Sequence, residues 1–252
     1  MMYPEKIVSL FDGWEETMIW SCLQGIMGSL TWNAEQTAGM IVNRDFTFLA
    51  GQPDRRLLER APGPILVPRT DDWARLIERF YGSRAERETR YAIRKEPDVF
   101  CRQKLEAFAA SLPSGYELRL IDEAMVPVLL AQEWSRDFCG AFSDPADCCA
   151  RGVGVAALYK GVPVAGAGSY IVYQGGIEVE IDTRIDHRRK GLATACGARL
   201  ILECLDRGLY PSWDAIDLRS AALAEKLGYH RGEPYTAYWV GGPAPAGDFR
   251  LL

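Results

Sequence analysis

A mixed α/β (α+β) fold, a sheet with helices on both faces, is what this sequence predicts, and three observations predict it. Residues 116–240 read as strand, helix, three strands in succession, then helix, strand, helix and strand. Within that run a strand-like stretch, Ile177–Thr183, passes through a short basic loop into a helix-like stretch, Leu192–Leu205. The first half repeats part of that order, hairpin, helix, strand and helix, without the basic loop. Successive strands pair antiparallel and strand–helix–strand passages pair parallel, so the sheet must be mixed.

The elements follow in chain order. Residues 4–27 space their apolar side chains (Ile7, Leu10, Phe11, then Met18, Ile19, Cys22, Leu23) as a helical pair broken near Asp12-Gly13. Leu30–Trp32 and Thr37–Val42 read as strands, and Asn43-Arg44-Asp45 turns the second into Phe46–Ala50. Asp54 opens a short helix to Ala61, and prolines bracket a buried strand, Pro64–Pro68. Thr70-Asp71-Asp72 caps an amphipathic helix that carries Trp73, Leu76, Ile77 and Phe80. A strand at Thr89–Ile93 and a helix at Arg102–Leu112 lead to Pro113-Ser114-Gly115, read as the domain boundary between residues 1–113 and 116–252. Beyond it come a strand at Tyr116–Ile121, a helix through Val126, Leu129, Leu130 and Trp134, and strands Gly152–Tyr159 and Val162–Tyr173 joined at Lys160-Gly161. Gln174-Gly175-Gly176 turns into Ile177–Thr183. Gly208 ends the next helix, Trp213–Asp217 is a short strand, Ser220–Leu227 is a helix closed by Gly228, and Tyr235–Val240 is the last strand.

Composition narrows the function classes. The chain has 252 residues and a net charge of −5, with 48% hydrophobic and 25% charged residues, ordinary for a globular protein. An acidic balance argues against general nucleic-acid binding. No apolar run approaches the ~20 residues of a membrane helix, and Glu5, Lys6 and Asp12 do not fit a secretory leader. The seven cysteines include no Cys-x-x-Cys pair and have only His187 and His230 to join them, so free buried thiols in a reducing cytoplasm are expected rather than zinc. Cys148-Cys149 reads as structural. Gly-x-Ser-x-Gly and Gly-rich dinucleotide fingerprints are absent, which removes hydrolase and dehydrogenase readings.

Against that acidic background, Arg184, Arg188, Arg189 and Lys190 fall within seven residues just before a helix. A helix start offers unpaired N–H groups and the positive end of its dipole, a natural seat for phosphate. The plainer reading is a solvated basic loop.

Arg188-Arg189-Lys190-Gly191-Leu192-Ala193 resembles the Arg/Gln-x-x-Gly-x-Gly/Ala pyrophosphate signature of the GNAT superfamily of acyl-CoA N-acyltransferases. Downstream, Ser220-Ala-Ala-Leu-Ala-Glu-Lys-Leu-Gly-Tyr229 is similar to that superfamily's later helix, and Leu209–Asp214 looks like its zwittermicin-resistance-like branch. The resemblance covers residues 116–240. It implies a GNAT-type, mostly antiparallel central sheet flanked by helices, with acetyl-CoA as acyl donor and a small-molecule amine as acceptor. Thr183, Arg188, Arg189, Lys190, Gly191, Leu192, Ala193, Thr194 and Ser220 are then the cofactor-binding positions, the cations shared between pyrophosphate and ribose phosphate. The first domain reads as a degenerate copy of the same fold that shapes the acceptor cleft. No nucleic-acid or membrane partner is expected, and a homodimer is one assembly the sequence leaves open.

Acetyl transfer needs a base for the amine and relief for the departing thiolate. Alternation on 177–183 puts Glu178, Glu180 and Asp182 on one face, where crowding raises carboxylate pKa values and attracts a cationic amine. By its position before the motif, Glu178 best resembles the general base of some superfamily members, which makes it the first candidate for the base and Glu180 the second. The competing reading is a polar sheet face paired with Arg184 or other cations. Two positions depart from the superfamily pattern: Asp217 stands where many members have asparagine, and Ala224 where many have the tyrosine that protonates the thiolate. Tyr229, Ser220 or water could substitute, or the thiolate (pKa ~8.5 by analogy with cysteine) could leave without an acid. Ser220 as a helix cap and Tyr229 as core are the structural alternatives. Ala224 also keeps a second function in view, a non-catalytic acyl-CoA-binding or protein-interaction module.

Overall fold

The computed structural model describes residues 3–240, which pack as two compact units: residues 3–90 with 234–240, and residues 91–233. The strands and helices alternate as expected, and each unit contains a mixed sheet.

In the first unit, α1 (Glu5–Val8) and α2 (Thr17–Leu23) precede β1 (Ser29–Trp32), β2 (Ala38–Asn43) and β3 (Phe46–Gly51), three antiparallel neighbours. Arg44 takes φ 53° in the two-residue turn of the β2–β3 hairpin. Asp54 caps α3 (Arg55–Leu58), which carries the chain over to β4 (Ile65–Pro68), parallel to β3. Thr70 caps α4 (Asp71–Tyr81), whose Trp73 and Ile77 bury against Met40, Leu49, Leu57 and Leu66. The Trp73 indole donates to the Gly51 carbonyl at 3.0 Å, so this buried polar group is satisfied. β5 (Ala85–Ile93) then leaves for the second unit.

In the second unit, α5 (Arg102–Ala110) precedes β6 (Tyr116–Leu120), α6 (Val126–Leu130), a 3-10 turn (Arg136–Phe138), α7 (Pro145–Arg151), β7 (Gly154–Tyr159), β8 (Val162–Tyr173) and β9 (Gly176–Thr183). α8 (Leu192–Asp206), β10 (Tyr210–Ser212), β11 (Asp214–Ala215), α9 (Leu218–Leu227) and β12 (Arg231–Val240) complete it, the end of β12 pairing with β4 of the first unit's sheet. The central sheet runs β10-β9-β8-β7-β6, antiparallel except for the parallel pair β9–β10 bridged by α8. α8 lies on one face, and its Gly197 leaves room for Ile181 and Leu227. On the other face Phe138 rests on Gly166 and Gly168: a Cβ at Gly166 would come within 2.6 Å of its ring, and one at Gly168 within 3.0 Å of its Cβ. α6 and α7 share the core beneath that ring.

Four expectations differ from what the chain does. The units divide between Arg90 and Tyr91, not at Pro113-Ser114-Gly115, because α5 packs on α8, Leu105 is fully buried and Arg102 pairs with Asp206 at 2.7 Å. Pro113–Gly115 is only the turn into β6. Trp213–Asp217 is not one strand: β10 joins the central sheet, whereas β11 pairs with β5 at Asp214↔Ala92. The buried Trp213 between them is held by its indole donating to Ser220 Oγ at 3.1 Å. α6 stops at Leu130, and Trp134 lies beyond it in edge contact with Phe138. The sequence reading placed no helix at α7, although Asp144 caps it and Pro145 starts it, a recognisable signal.

Candidate active site

β9 and α8 are joined by residues 184–191. Neutral His187 pins that loop from inside: it is buried, Arg184 donates to its Nε2 at 2.9 Å, and its Nδ1 and Tyr116 Oη lie 2.8 Å apart. Desolvation lowers its pKa, consistent with Nε2 remaining an acceptor for the guanidinium. Arg184 also grips Asp186 through two bonds of 2.7 and 2.9 Å, so its carboxylate partner is Asp186 and not one on β9. Arg188 turns back onto the strand, donating to the Thr183 carbonyl at 2.9 Å and reaching Asp182 at 3.4 Å. Lys190 Nζ donates to Tyr116 Oη and to the Asp186 carbonyl. Two of the expected phosphate ligands, Arg188 and Lys190, therefore also hold the loop in shape. Arg189 is exposed, and its φ of 60° is a left-handed conformation that costs a non-glycine residue about 1 kcal/mol.

The loop ends at Gly191, the N-cap of α8, with φ 80°; no side chain caps this helix and its first turn contains no acid. A Cβ on Gly191 would meet no atom within 4 Å, so the space in front of the helix is open. The N–H groups of Leu192, Ala193 and Thr194 have no partner within the helix by its geometry, and the Leu192 side chain anchors the helix by burial. Thr194 Oγ accepts from Lys226 Nζ at 3.2 Å, and the same ammonium sits 5.2 Å from the Phe108 ring centroid. Lys226 is a cation that sequence reasoning did not assign to this site; its only signal was membership in the Lys-Leu-Gly run. Ser220 was assigned to the cofactor, but its hydroxyl accepts the Trp213 indole and its N–H donates to Asp217, the true cap of α9. Thr183 Oγ1, at the end of β9, is buried and has no hydrogen-bond partner among the described residues.

A helix start with no capping acid, open space before it and cations beside it favours an anion, because the positive dipole end is worth a few tenths of a kcal/mol or more to a negative charge. A polyanion such as the CoA pyrophosphate matches that charge, so the residues present fit the group.

The carboxylates occupy graded environments. Glu178 is 4% exposed, whereas Glu180 and Asp182 are half-buried. Glu180 and Asp182 pair across to Gly168 and Gly166, the glycines under Phe138, so they flank that ring's side of the sheet while Ile181 faces α8. β8 bulges between Ser169 and Ile171, which offsets its pairing at Glu178. On its other side Glu178 pairs with Ser212 of β10. A buried aromatic set surrounds that point: Tyr173 Oη lies 2.9 Å from Ser212 Oγ, and Tyr229 Oη donates to the Pro211 carbonyl at 2.6 Å. Burial pushes the Tyr173 hydroxyl up to about 12, with the Glu178 charge adding to the rise. Burial also raises Tyr210 and Tyr229, again with Glu178 contributing. Tyr173 and Ser212 were not singled out in the sequence; the strand register alone brings them to Glu178.

Known proteins match this architecture. The family model described as GNAT acetyltransferase matches residues 8–238. The chain belongs to the GNAT acetyltransferase family, whose chemistry is acyl transfer. A relative is the uncharacterized N-acetyltransferase YdfB of Bacillus subtilis (strain 168), 28% identical over 209 residues that make up 81% of this chain and 76% of that protein. Among solved structures, a GCN5-related N-acetyltransferase-like protein from Streptococcus suis 89/1591 superposes with a TM-score of 0.90 at 44% identity, covering 94% of this chain and 99% of that one. A GCN5-related N-acetyltransferase from Kribbella flavida shares the fold at a TM-score of 0.54 and 16% identity, over 86% of this chain and 91% of that one. Among the described residues no helix is long and apolar enough to cross a membrane, and no group of side chains could hold a metal ion.

Proposed function

We propose that the chain is an acetyl-CoA-dependent N-acetyltransferase acting on the amine of a small molecule, in the zwittermicin-resistance-like branch of its family. The observation that carries this reading is the uncapped, cation-ringed start of α8 at the end of the carboxylate strand β9. Acetyl-CoA, when bound, supplies an activated acetyl group as a thioester. The N–H groups of residues 192–194, the Thr194 hydroxyl, Arg189 and Lys226 would hold its phosphates, with Arg188 and Lys190 keeping the loop in place. Thr183 would offer its orphaned hydroxyl at the end of the strand. Glu178, buried beside Ser212 and the tyrosines, is the proposed base for the acceptor amine; Glu180 and Asp182 draw a cationic acceptor in. The residues 3–90 unit, with its β3–α3–β4 parallel passage, is proposed as a degenerate copy of the same fold.

Incubation with acetyl-CoA and an amine library, followed by mass spectrometry for a gain of one acetyl group, tests this. Acetylated product is expected, with CoA released in equal amount. One observation favours a second reading, a non-catalytic acyl-CoA-binding module. Position 224 is a buried alanine, and the nearby Tyr229 hydroxyl is committed to the Pro211 carbonyl, so neither supplies a proton to a leaving thiolate. CoA binding by calorimetry with no product from any amine would select that reading.

A further inference from the structure

β6 (Tyr116–Leu120) is an edge of the central sheet: β7 lies on its inner side, and no strand of the described residues lies on its outer side. The β6–β7 register decides which backbone groups face outward. Just past the strand Ile121 stands opposite Gly154 and donates to its carbonyl at 2.9 Å, which makes that a hydrogen-bonded pair. Bonded and non-bonded pairs alternate, so Arg119 and Glu117 bond inward to Ala156 and Leu158. The N–H and C=O groups of Leu118 and Leu120 therefore point away from the sheet. The Tyr116 N–H, which shares that direction, turns to the Pro113 carbonyl at 3.3 Å. No proline and no bulge guards this edge. Glu117, Arg119 and Leu120 are exposed, and Arg119 approaches Asp122 at 3.6 Å, a solvated contact that is easily exchanged.

We infer that β6 is a self-association edge, on which a second copy of this chain pairs antiparallel about a two-fold axis through Leu118. The order Tyr-Glu-Leu-Arg-Leu is what selects a second copy as the occupant. About that axis Leu118 exchanges both ladder bonds with Leu118 of the second copy, and each Leu120 N–H donates to the other copy's Tyr116 carbonyl. Glu117 then stands opposite Arg119 of the second copy, and Arg119 opposite its Glu117. These are non-bonded positions, where cross-strand side chains lie closest and opposite charges attract. Sliding to either neighbouring register that keeps the ladder sets Glu117 against Glu117 or Arg119 against Arg119. The charges thus fix both the partner and the register. On the opposite face Leu118 and Leu120 continue the row that they form with Ala157 and Val155, and the seam carries that row into the second copy. Tyr116, which holds His187 and Lys190 of the loop before α8, places one such loop at each end of the seam.

Sedimentation equilibrium of the full chain over a concentration series tests this. A dimer that dissociates on dilution is expected. Glu117→Arg and Arg119→Glu should each raise its dissociation constant about tenfold, because both symmetry-related pairs become like-charged. Mixing the two variants should restore association as a heterodimer, identified by native mass spectrometry. Leu118→Pro removes an outward N–H and spares the ladder to β7, and should give a monomer. Amide exchange of the unmutated chain reads the same seam without any substitution: the Leu118 and Leu120 N–H groups should exchange more slowly as concentration rises. A chain that stays monomeric at every concentration, a dimer indifferent to both charge reversals, or exchange at Leu118 and Leu120 that ignores concentration would overturn the inference.

Discussion

Glu178 sets the first expectation at the residue scale. Replacing it with glutamine keeps the shape of the side chain between Ile171 and Ser212 but removes its ability to take a proton. Glu178→Gln is therefore expected to lower kcat by about 100-fold, within the range for a lost general base, with the donor KM unchanged in steady-state assays. An unchanged kcat would move the role to Glu180. Lys226 makes a different prediction. It sits at the positive end of α8 on Thr194 and stacks on Phe108, so Lys226→Gln should leave the fold intact and weaken CoA binding by about tenfold, or 1.4 kcal/mol, as calorimetry would read. His187 governs a pH effect. Its folded pKa is below its unfolded value of about 6.5, so the contribution of the neutral form is complete above the unfolded value and is lost as pH falls through the lower folded one. Protonation would also place a cation between Arg184 and Lys190. Melting temperatures from pH 8 to pH 5 should fall more steeply for the native chain than for His187→Gln.

At the scale of elements, α8 depends on the absence of a side chain at Gly197. A Cβ there would lie 2.8 Å from Leu227 Cδ1 and 3.3 Å from Ile181 Cδ1, with β9 on one side and α9 on the other. Gly197→Ala gains helix propensity but overpacks that contact, and a net loss of roughly 1–3 kcal/mol is expected in urea unfolding. This element-level logic also explains what could be read in the sequence. The caps at Asp54 and Thr70 and the closing glycines 208 and 228 act within a turn or two of chain, so local pattern revealed them. The basic loop and Gly191 were legible for the same reason. The split of β10 from β11 was not, because two adjacent short strands join different sheets and only long-range pairing separates them. Lys226 and Tyr173 were hidden likewise: one reaches the site from another helix, and the other reaches Glu178 only through β8–β9–β10 register.

At the scale of the whole molecule, the chain returns to its first unit at the end. Residues 234–240 bring Tyr238 and Trp239 alongside Leu66 and Ile65, and the Tyr238 hydroxyl donates to Glu78 at 2.6 Å. Tyr238 is 1% exposed and shares the core of Trp73. A chain truncated after Glu233 is expected to lose amide protection in β4 and α4, measured by hydrogen exchange, while residues 116–212 keep theirs. Equal protection in both regions would show that the first unit does not need the returning strand. The boundary at Pro113–Gly115 looked natural in the sequence because composition marks turns, whereas a unit closed by a distant strand leaves no local mark.

That returning strand has a consequence for how the protein is made. The partners that complete the first unit's sheet lie on either side of residues 91–233, so the ribosome delivers the early half well before the strand that closes it. At an elongation rate of about 5–20 residues per second, β4 waits with an open edge for roughly 8–35 s. Exposed edges of that kind invite pairing with other chains. During synthesis the nascent first half is therefore the stage at which this protein most needs chaperone cover, and slower translation of the second half would lengthen that exposure.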